Sequence, residues 1–564
     1  MIKAHNVNRL ARLSSAAPAL AALLVYASTI GAGFLYDDEV LIRTNPRVHD
    51  AGGLWRAPLE PLLTAAGTGD TNYYRPVVNV LYNMTWRAGG GRPAAFHLLN
   101  LLLHMTNATL VMLLVRRLRG AAPSDPVAIG AAVLFAVHPL TSEVVAWPSC
   151  LPELGYVTFG LSALVLHAAS WRLAAWVSFG LALGCKETAV VLLPLIVMLE
   201  LWRGSGGVRG AVRSMAPYLG VAAIFLAARV AVLGGVMPHG TAGLRTTADS
   251  VLNAPSLLVR YLGMMLVPWP LRIEHVVTLV SSAKDPRFLV SAAAIVALGA
   301  AAWRLRRRRP DLAFAACWTV VPLLPALHLP ALGRDPFAER YAYLAVAGLC
   351  WLAVGGVEAL GVARRWLLPV FVYAVSIAFA VATVRRCGDW YDDGTLGASS
   401  IRHEPRAAVG YLLRGGWLLR EGRAEEAWRV FRDGVDHAPA NIELHRFAFG
   451  LGAQLHRMTQ EQLLAEYERL VPLARDSATA EFNLGQALLE GGRLDAAETA
   501  FGRALELVPD SIPAMAGLVE IALRRGDAPT AQSWCGRAKG VGGASEAAMQ
   551  QLRSVCEVAE RSSP

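Results

Sequence analysis

Apolar runs separated by short polar or arginine-rich breaks fill the chain from its N-terminus to about residue 386. A helix needs roughly 20 apolar residues to cross the ~30 Å hydrocarbon layer of a bilayer. On that scale the pattern predicts spans near 13–35, 97–115, 127–146, 154–170, 173–184, 188–202, 215–236, 287–303, 312–330, 341–358 and 366–384, about eleven in all. The fifth and sixth are short. Leu257 to Pro270 is apolar but also short, and it contains Arg260, so it reads as a re-entrant or interfacial segment. The first run follows Lys3, Arg9 and Arg12 and has the outline of a signal peptide. It is read as an uncleaved first span, because cleavage near Ala32 would sever Asp37 and Asp38 from their anchor.

From about residue 400 the pattern becomes that of soluble amphipathic helices, and an internal repeat emerges. Tyr411, Gly415, Ala427, Phe431 and Pro439 have tetratricopeptide spacing. Leu484, Gly485, Ala497, Phe501, Ala504 and Pro509 repeat it about two 34-residue periods later. The repeat between them is degenerate, and Leu518, Ala531 and Ala538 mark a partial fourth. Small residues at these positions let paired helices pack closely, and the prolines end each pair. The expected fold is therefore all-α: a polytopic membrane domain over 1–386, then an α-solenoid of about four tetratricopeptide repeats over 400–545. Such arrays form a groove for a polypeptide, or serve as a spacer or dimerisation element.

Composition agrees with the pattern. A mean hydropathy of +0.40 with 54% hydrophobic residues is outside the range of ordinary soluble domains. The net charge is +10. Basic patches can signal nucleic acid, but the clusters here abut the ends of apolar spans: Arg116-Arg117-Leu118-Arg119, Arg203 to Arg213, Arg304 to Arg309 and Arg364-Arg365. That is the positive-inside pattern, and no nucleic-acid partner is expected. With those clusters in the cytosol, the N-terminus is inside. Asp37, Asp38, the loop to about residue 96, His138 to Leu154, 238–286 and 331–340 are then outside. An odd number of spans puts the repeats outside as well. The seven cysteines form no CxxC or metal-ligand spacing. Cys535 and Cys556 can pair if their domain lies outside the cytosol, or remain free.

Acids and bases gather at the outer face. Asp37 and Asp38 follow the first span directly, where a carboxylate is costly to desolvate. Tyr74-Arg75-Pro76 comes next, then His97, Asn100 and His104 on one helical face. His138-Pro139, Glu143, Trp147, Lys186-Glu187 and Glu339-Arg340-Tyr341 complete the set. Such a group suits a lipid-phosphate sugar donor, with its phosphate at the interface and its tail in the bilayer. Lys186 and Arg340, with Arg75 behind them, are the candidates to hold that phosphate as it leaves. A carboxylate, Asp37 or Asp38, is the candidate base for the acceptor hydroxyl. His97, His138, Glu143 and Glu187 are candidates to line the site or contact the acceptor. Structural alternatives stand beside each: Asp37 and Asp38 as helix caps, His97 and His104 as interhelical hydrogen-bonding groups, His138 as a turn residue, and Lys186 with Glu187 as a mutual ion pair. A divalent cation is possible, and no metal-binding motif fixes one.

Taken in order, these motifs resemble the transmembrane-and-tetratricopeptide O-mannosyltransferase family of the GT-C class of polytopic glycosyltransferases. The segments carrying the resemblance are Tyr36-Asp37-Asp38, Tyr74-Arg75-Pro76, Phe96-His97 to His104, His138-Pro139 to Trp147, Lys186-Glu187 and Glu339 to Leu344. The resemblance implies transfer of a sugar, typically mannose, from a polyprenyl-phosphate carrier to Ser or Thr of exported proteins, which the repeats would bind. It also implies that Asp37 and Asp38 form the catalytic acidic pair. One departure stands out. The family often has an arginine shortly after the outer His-Pro…Glu…Trp segment, where this chain has Ser149-Cys150-Leu151-Pro152-Glu153. The Ala- and Arg-rich composition reads as bacterial, so the expected setting is an inner membrane with an undecaprenyl carrier. Two other readings use the same features: a glycosyltransferase acting on an envelope lipid or polysaccharide, and a non-enzymatic scaffold carrying repeats.

Overall fold

The computed structural model describes residues 2–50, 52–62, 73–203, 207–235, 247–327, 337–360, 366–474, 477–541 and 546–561. Every regular element among them is helical. The chain divides into two compact units after Asp392.

The first unit is built from long apolar helices whose starts follow from local sequence. Proline occupies the first turn of Pro76–Gly89, Pro93–Arg119, Pro126–Val137, Pro286–Arg308 and Pro310–Val320, where its missing N–H costs nothing. Asp125 and Asp285 cap two of these helices, accepting from the Ala128 N–H at 3.3 Å and the Arg287 N–H at 2.8 Å. Gly120, at φ 60°, takes the left-handed conformation that ends Pro93–Arg119.

Among the described residues, eight helices are long and apolar enough to cross a membrane, or nine if one bent pair counts as a span. The chain thus carries the helices of a multi-pass membrane protein. The expected eleven is reduced because the predicted fifth and sixth spans fall short: Arg172–Cys185 has 14 residues and Leu192–Arg203 has 12. At 1.5 Å per residue, they reach about 21 Å and 18 Å. The bent pair is Pro126–Val137 with Pro139–Ala146, turned by 54° where Pro139 interrupts the ladder.

Helix Leu151–Ala168 is the buried centre of this unit and packs on Arg172–Cys185 and Pro93–Arg119. Gly207–Leu233, Pro286–Arg308 and Leu367–Asp389 bury only 6% of their apolar windows, as lipid-facing helices do. Helices Pro310–Val320 and Tyr343–Leu360 approach closely at Gly348, where a Cβ would lie 2.6 Å from the Thr319 backbone nitrogen. The arginine-rich helix ends converge. Arg119 contacts Asp125, Asp311 and Glu358 at 3.0, 3.1 and 2.7 Å, and Arg309 contacts Asp311 and Glu358 at 2.9 and 3.1 Å. Arg364, Arg365 and most of the expected outer loop 331–340 lie outside the described residues.

The second unit contains four successive helix pairs: Ala408–Arg420 with Ala424–His437, Ile442–Gln454 with Gln460–Leu473, Ala478–Glu490 with Leu494–Leu507, and Ile512–Arg524 with Ala528–Lys539. The degenerate second repeat forms a pair like the others, with Phe449, Leu463, Tyr467 and Leu470 supplying its core. Phe501 shows why the small positions matter, since a Cβ on Gly485 would stand 2.8 Å from its ring. Helix Glu546–Arg561 packs on the fourth pair, and Cys556 on it is disulfide-bonded to Cys535.

Candidate active site

The acidic pair sits in a tight turn after the first span. The Asp38 N–H donates to the Leu35 carbonyl at 3.0 Å, while the Leu35 N–H donates to Asp38 Oδ2 at 3.1 Å. This reciprocal turn holds Tyr36 in the left-handed region, at φ 51°. The two aspartates diverge. Asp37 is exposed, whereas Asp38 is wholly buried. Asp38 Oδ1 accepts from the Ser149 N–H at 2.8 Å and from the Ser149 hydroxyl. Burial pushes the Asp38 carboxyl up to about 8, although the donors from Ser149 and Leu35 favour its charged form. Ser149 therefore holds Asp38, and with it the acidic turn, from the segment just after Trp147.

The three candidate cations are each matched to a buried or half-buried carboxylate. Arg75 forks onto Glu187, with Nε to Oε2 at 3.2 Å and Nη2 to Oε1 at 3.0 Å. Burial alone would raise the Glu187 carboxyl, but the Arg75 guanidinium overrides it and holds it at about 2. Lys186 pairs with Glu153, both side chains being 7% exposed. Arg340 donates through Nη1 to Glu143 Oε1 at 2.9 Å and through its backbone N–H to Oε2 at 3.1 Å. The Tyr341 ring stands between two of these cations, 5.0 Å from Lys186 and 5.2 Å from Arg340. Arg75 and Arg340 both lie within electrostatic range of Glu153. The predicted ion pair of Lys186 with Glu187 is replaced by these crossed partners.

The candidate histidines make structural contacts. His138 Nδ1 accepts from the Leu140 N–H at 3.2 Å, so Nε2 carries the proton that it donates to the Met265 carbonyl at 3.0 Å. It is thus the pivot of the 54° bend. His97 Nε2 lies 3.3 Å from the Gly33 carbonyl, tying its helix to the chain before the acidic turn. His104 contacts the Tyr343 hydroxyl at 2.7 Å and the Ala136 carbonyl at 3.0 Å, and Asn100 donates to the Trp147 carbonyl at 3.0 Å. Among the described residues, no group of three or more His, Cys, Asp or Glu side chains is gathered to hold a metal ion.

Sequence reasoning missed most of the contacts in this neighbourhood, and some of its members. Ser149 and Glu153 registered only as departures from a pattern. Tyr36, Trp147 and Trp390 form a stack with ring centroids 5.5 and 5.6 Å apart. Arg386 lies 5.6 Å from the Trp390 ring and pairs with Asp389 at 3.0 Å. Glu339 Oε1 accepts from the Arg272 N–H and lies 3.0 Å from His275 Nε2, anchoring the segment before Pro286 beside Arg340. Tyr36, Trp147 and Glu339 stand in the sequence motifs, but nothing local to them marks Trp390, Arg272 or His275 as their partners.

Comparison with known proteins places these features in context. The tetratricopeptide repeat model matches residues 461–512 and 482–546. "Protein O-mannosyl-transferase Tmtc1" of Drosophila melanogaster is 24% identical, over 75% of this chain and 61% of its own length. "Protein O-mannosyl-transferase TMTC3" of Mus musculus is 23% identical, over 86% of this chain and 59% of its own. "Protein O-mannosyl-transferase F38B6.6" of Caenorhabditis elegans is 24% identical, over 74% of this chain and 62% of its own. The chain spans about three fifths of the length of these relatives. The resemblance drawn from the motifs is met by homologues that carry the protein O-mannosyltransferase name, and by repeats where repeats were expected.

Proposed function

We propose that the chain is an inverting membrane glycosyltransferase that moves a hexose, with mannose the first candidate, from a polyprenyl-phosphate carrier to Ser or Thr hydroxyls of exported proteins. The observation that carries this reading is the acidic turn clipped to Ser149, in the same unit as three cations paired to carboxylates, in a chain whose relatives are named protein O-mannosyl-transferases. In this reading the Asp37 carboxylate takes the acceptor's proton. The acceptor oxygen forms a bond to the anomeric carbon, the bond from that carbon to the phosphate oxygen breaks, and the polyprenyl phosphate departs from the opposite face. Asp38 positions the turn. It is buried and holds its own proton near neutrality, so it is a poor base.

Arg340 and Lys186 would stabilise the charge that builds on the leaving phosphate, with Arg75 supporting them. The incoming phosphate competes with Glu143 and Glu153, so the cations are held in place before the donor arrives. The repeats would bind the acceptor polypeptide outside the cytosol.

Intact-glycopeptide mass spectrometry of exported proteins tests the reading, in cells with the wild-type chain or Asp37→Asn. Loss of single-hexose Ser/Thr modifications in a folded Asp37→Asn protein supports it. Unchanged glycopeptides in that variant refute it, and envelope glycolipids would then be compared.

A further inference from the structure

Tyr36 is one of three residues other than glycine with positive φ among the described residues, and the one at the candidate site. Backbone in that region is disfavoured for a bulky side chain, and such outliers concentrate where function requires them. The turn explains the backbone but not the residue. Glycine or asparagine would satisfy the same geometry with less strain. The tyrosine ring instead lies against Trp147, with centroids 5.5 Å apart and planes 24° from parallel, and Trp147 lies against Trp390 in the same way. Trp147 and Trp390 are buried, whereas Tyr36 remains 38% exposed. The stack therefore ends in a partly exposed tyrosine, one residue before the exposed Asp37. Arg340 stands 5.9 Å from the Trp147 ring of the same stack.

We infer that the Tyr36 ring is a platform for the transferred hexose, binding the sugar of the donor. This rests on the donor reading above and extends it to sugar recognition. A pyranose has one face of C–H groups with a slight positive charge, and it packs flat on the electron-rich face of an aromatic ring. Trp147 behind the ring fixes its orientation. The sugar's anomeric carbon is thereby kept beside Asp37, and its phosphate on the side of Arg340.

Equilibrium binding to the full chain in detergent tests this with two probes: a short-chain polyprenyl-phosphate mannose, and the same polyprenyl phosphate without sugar. The wild type should prefer the mannose-bearing carrier by about tenfold, the scale of one good aromatic contact. Tyr36→Gly keeps the left-handed turn and removes the ring. It should lose that preference while keeping its affinity for the bare carrier and its melting temperature. Tyr36→Phe should keep all three. A Tyr36→Gly protein that still prefers the mannose-bearing carrier overturns the platform, as does a wild type that binds both carriers equally. Binding of neither carrier by a folded wild type overturns the donor reading itself.

Discussion

Lys186 and Glu153 offer a test that separates holding the fold from holding the donor. Both side chains are 7% exposed, and they pair directly. Replacing Lys186 with Met leaves the Glu153 carboxylate buried without its partner, which typically costs about 3–5 kcal/mol. Arg75 and Arg340 lie within electrostatic range of Glu153 and offset part of that cost, so the lower end applies. At about 2.1 cal/mol/K per residue, a loss of ~3 kcal/mol in a unit of this size lowers Tm by about 4 °C. The double variant Lys186→Met/Glu153→Leu replaces the pair with apolar groups of similar volume, which is usually close to neutral. Its Tm should return to within about 1–2 °C of the wild type.

Transfer should not return with it. If Lys186 stabilises the leaving phosphate, its removal costs about 100-fold or more in kcat, whatever the state of Glu153. The assay is a thermal melt in detergent alongside single-hexose transfer from polyprenyl-phosphate mannose to a Ser/Thr peptide. A double variant that regains both Tm and transfer would show that Lys186 only balances Glu153, and the phosphate role assigned to it would be wrong.

Three further outcomes follow from other parts of the molecule. In the folded chain Asp38 keeps its proton up to about 8, well above the ordinary carboxyl range, so folding takes up a proton between pH ~4 and ~8. The stability tied to this group is full below that window and falls by about 1.4 kcal/mol per pH unit through it. Melting temperature should therefore decline from pH 6 to 8 in the wild type and decline less in Asp38→Asn; equal slopes would contradict the assignment. Arg75→Lys exchanges a two-pronged hold on Glu187 for a single contact and should cost about 1–2 kcal/mol, read as a lower Tm of the membrane unit. Gly485→Ala puts a methyl 2.8 Å from the Phe501 ring and should destabilise the repeats by about 1–3 kcal/mol. Hydrogen exchange of the full chain should then show faster exchange in Ala478–Leu507, and unchanged protection would refute it.

The helices were legible because their signals are local: apolar runs of spanning length, prolines in first turns, and the tetratricopeptide spacing around Phe431 and Phe501. The span count was less so. Whether 12 to 14 apolar residues cross a membrane depends on what surrounds them, and Arg172–Cys185 lies against the buried helix Leu151–Ala168. The role of Ser149 was hidden because half of its contribution is a backbone N–H, which every residue but proline possesses.

The partners of the charged residues were the hardest to read, and the reason is geometric. Lys186 and Glu187 are neighbours in sequence and were natural candidates for each other. Lys186, however, has extended backbone, at φ −158° and ψ 132°, which sends consecutive side chains to opposite sides. One reaches Glu153 and the other reaches Arg75. The same divergence divides Asp37 from Asp38, leaving one carboxylate in solvent and the other locked onto Ser149. Two adjacent ionisable residues in a turn or extended segment are thus separate groups with different surroundings. In the proposed reaction the exposed member of the acidic pair meets the acceptor, while the buried member, bound to Ser149, fixes where its neighbour stands.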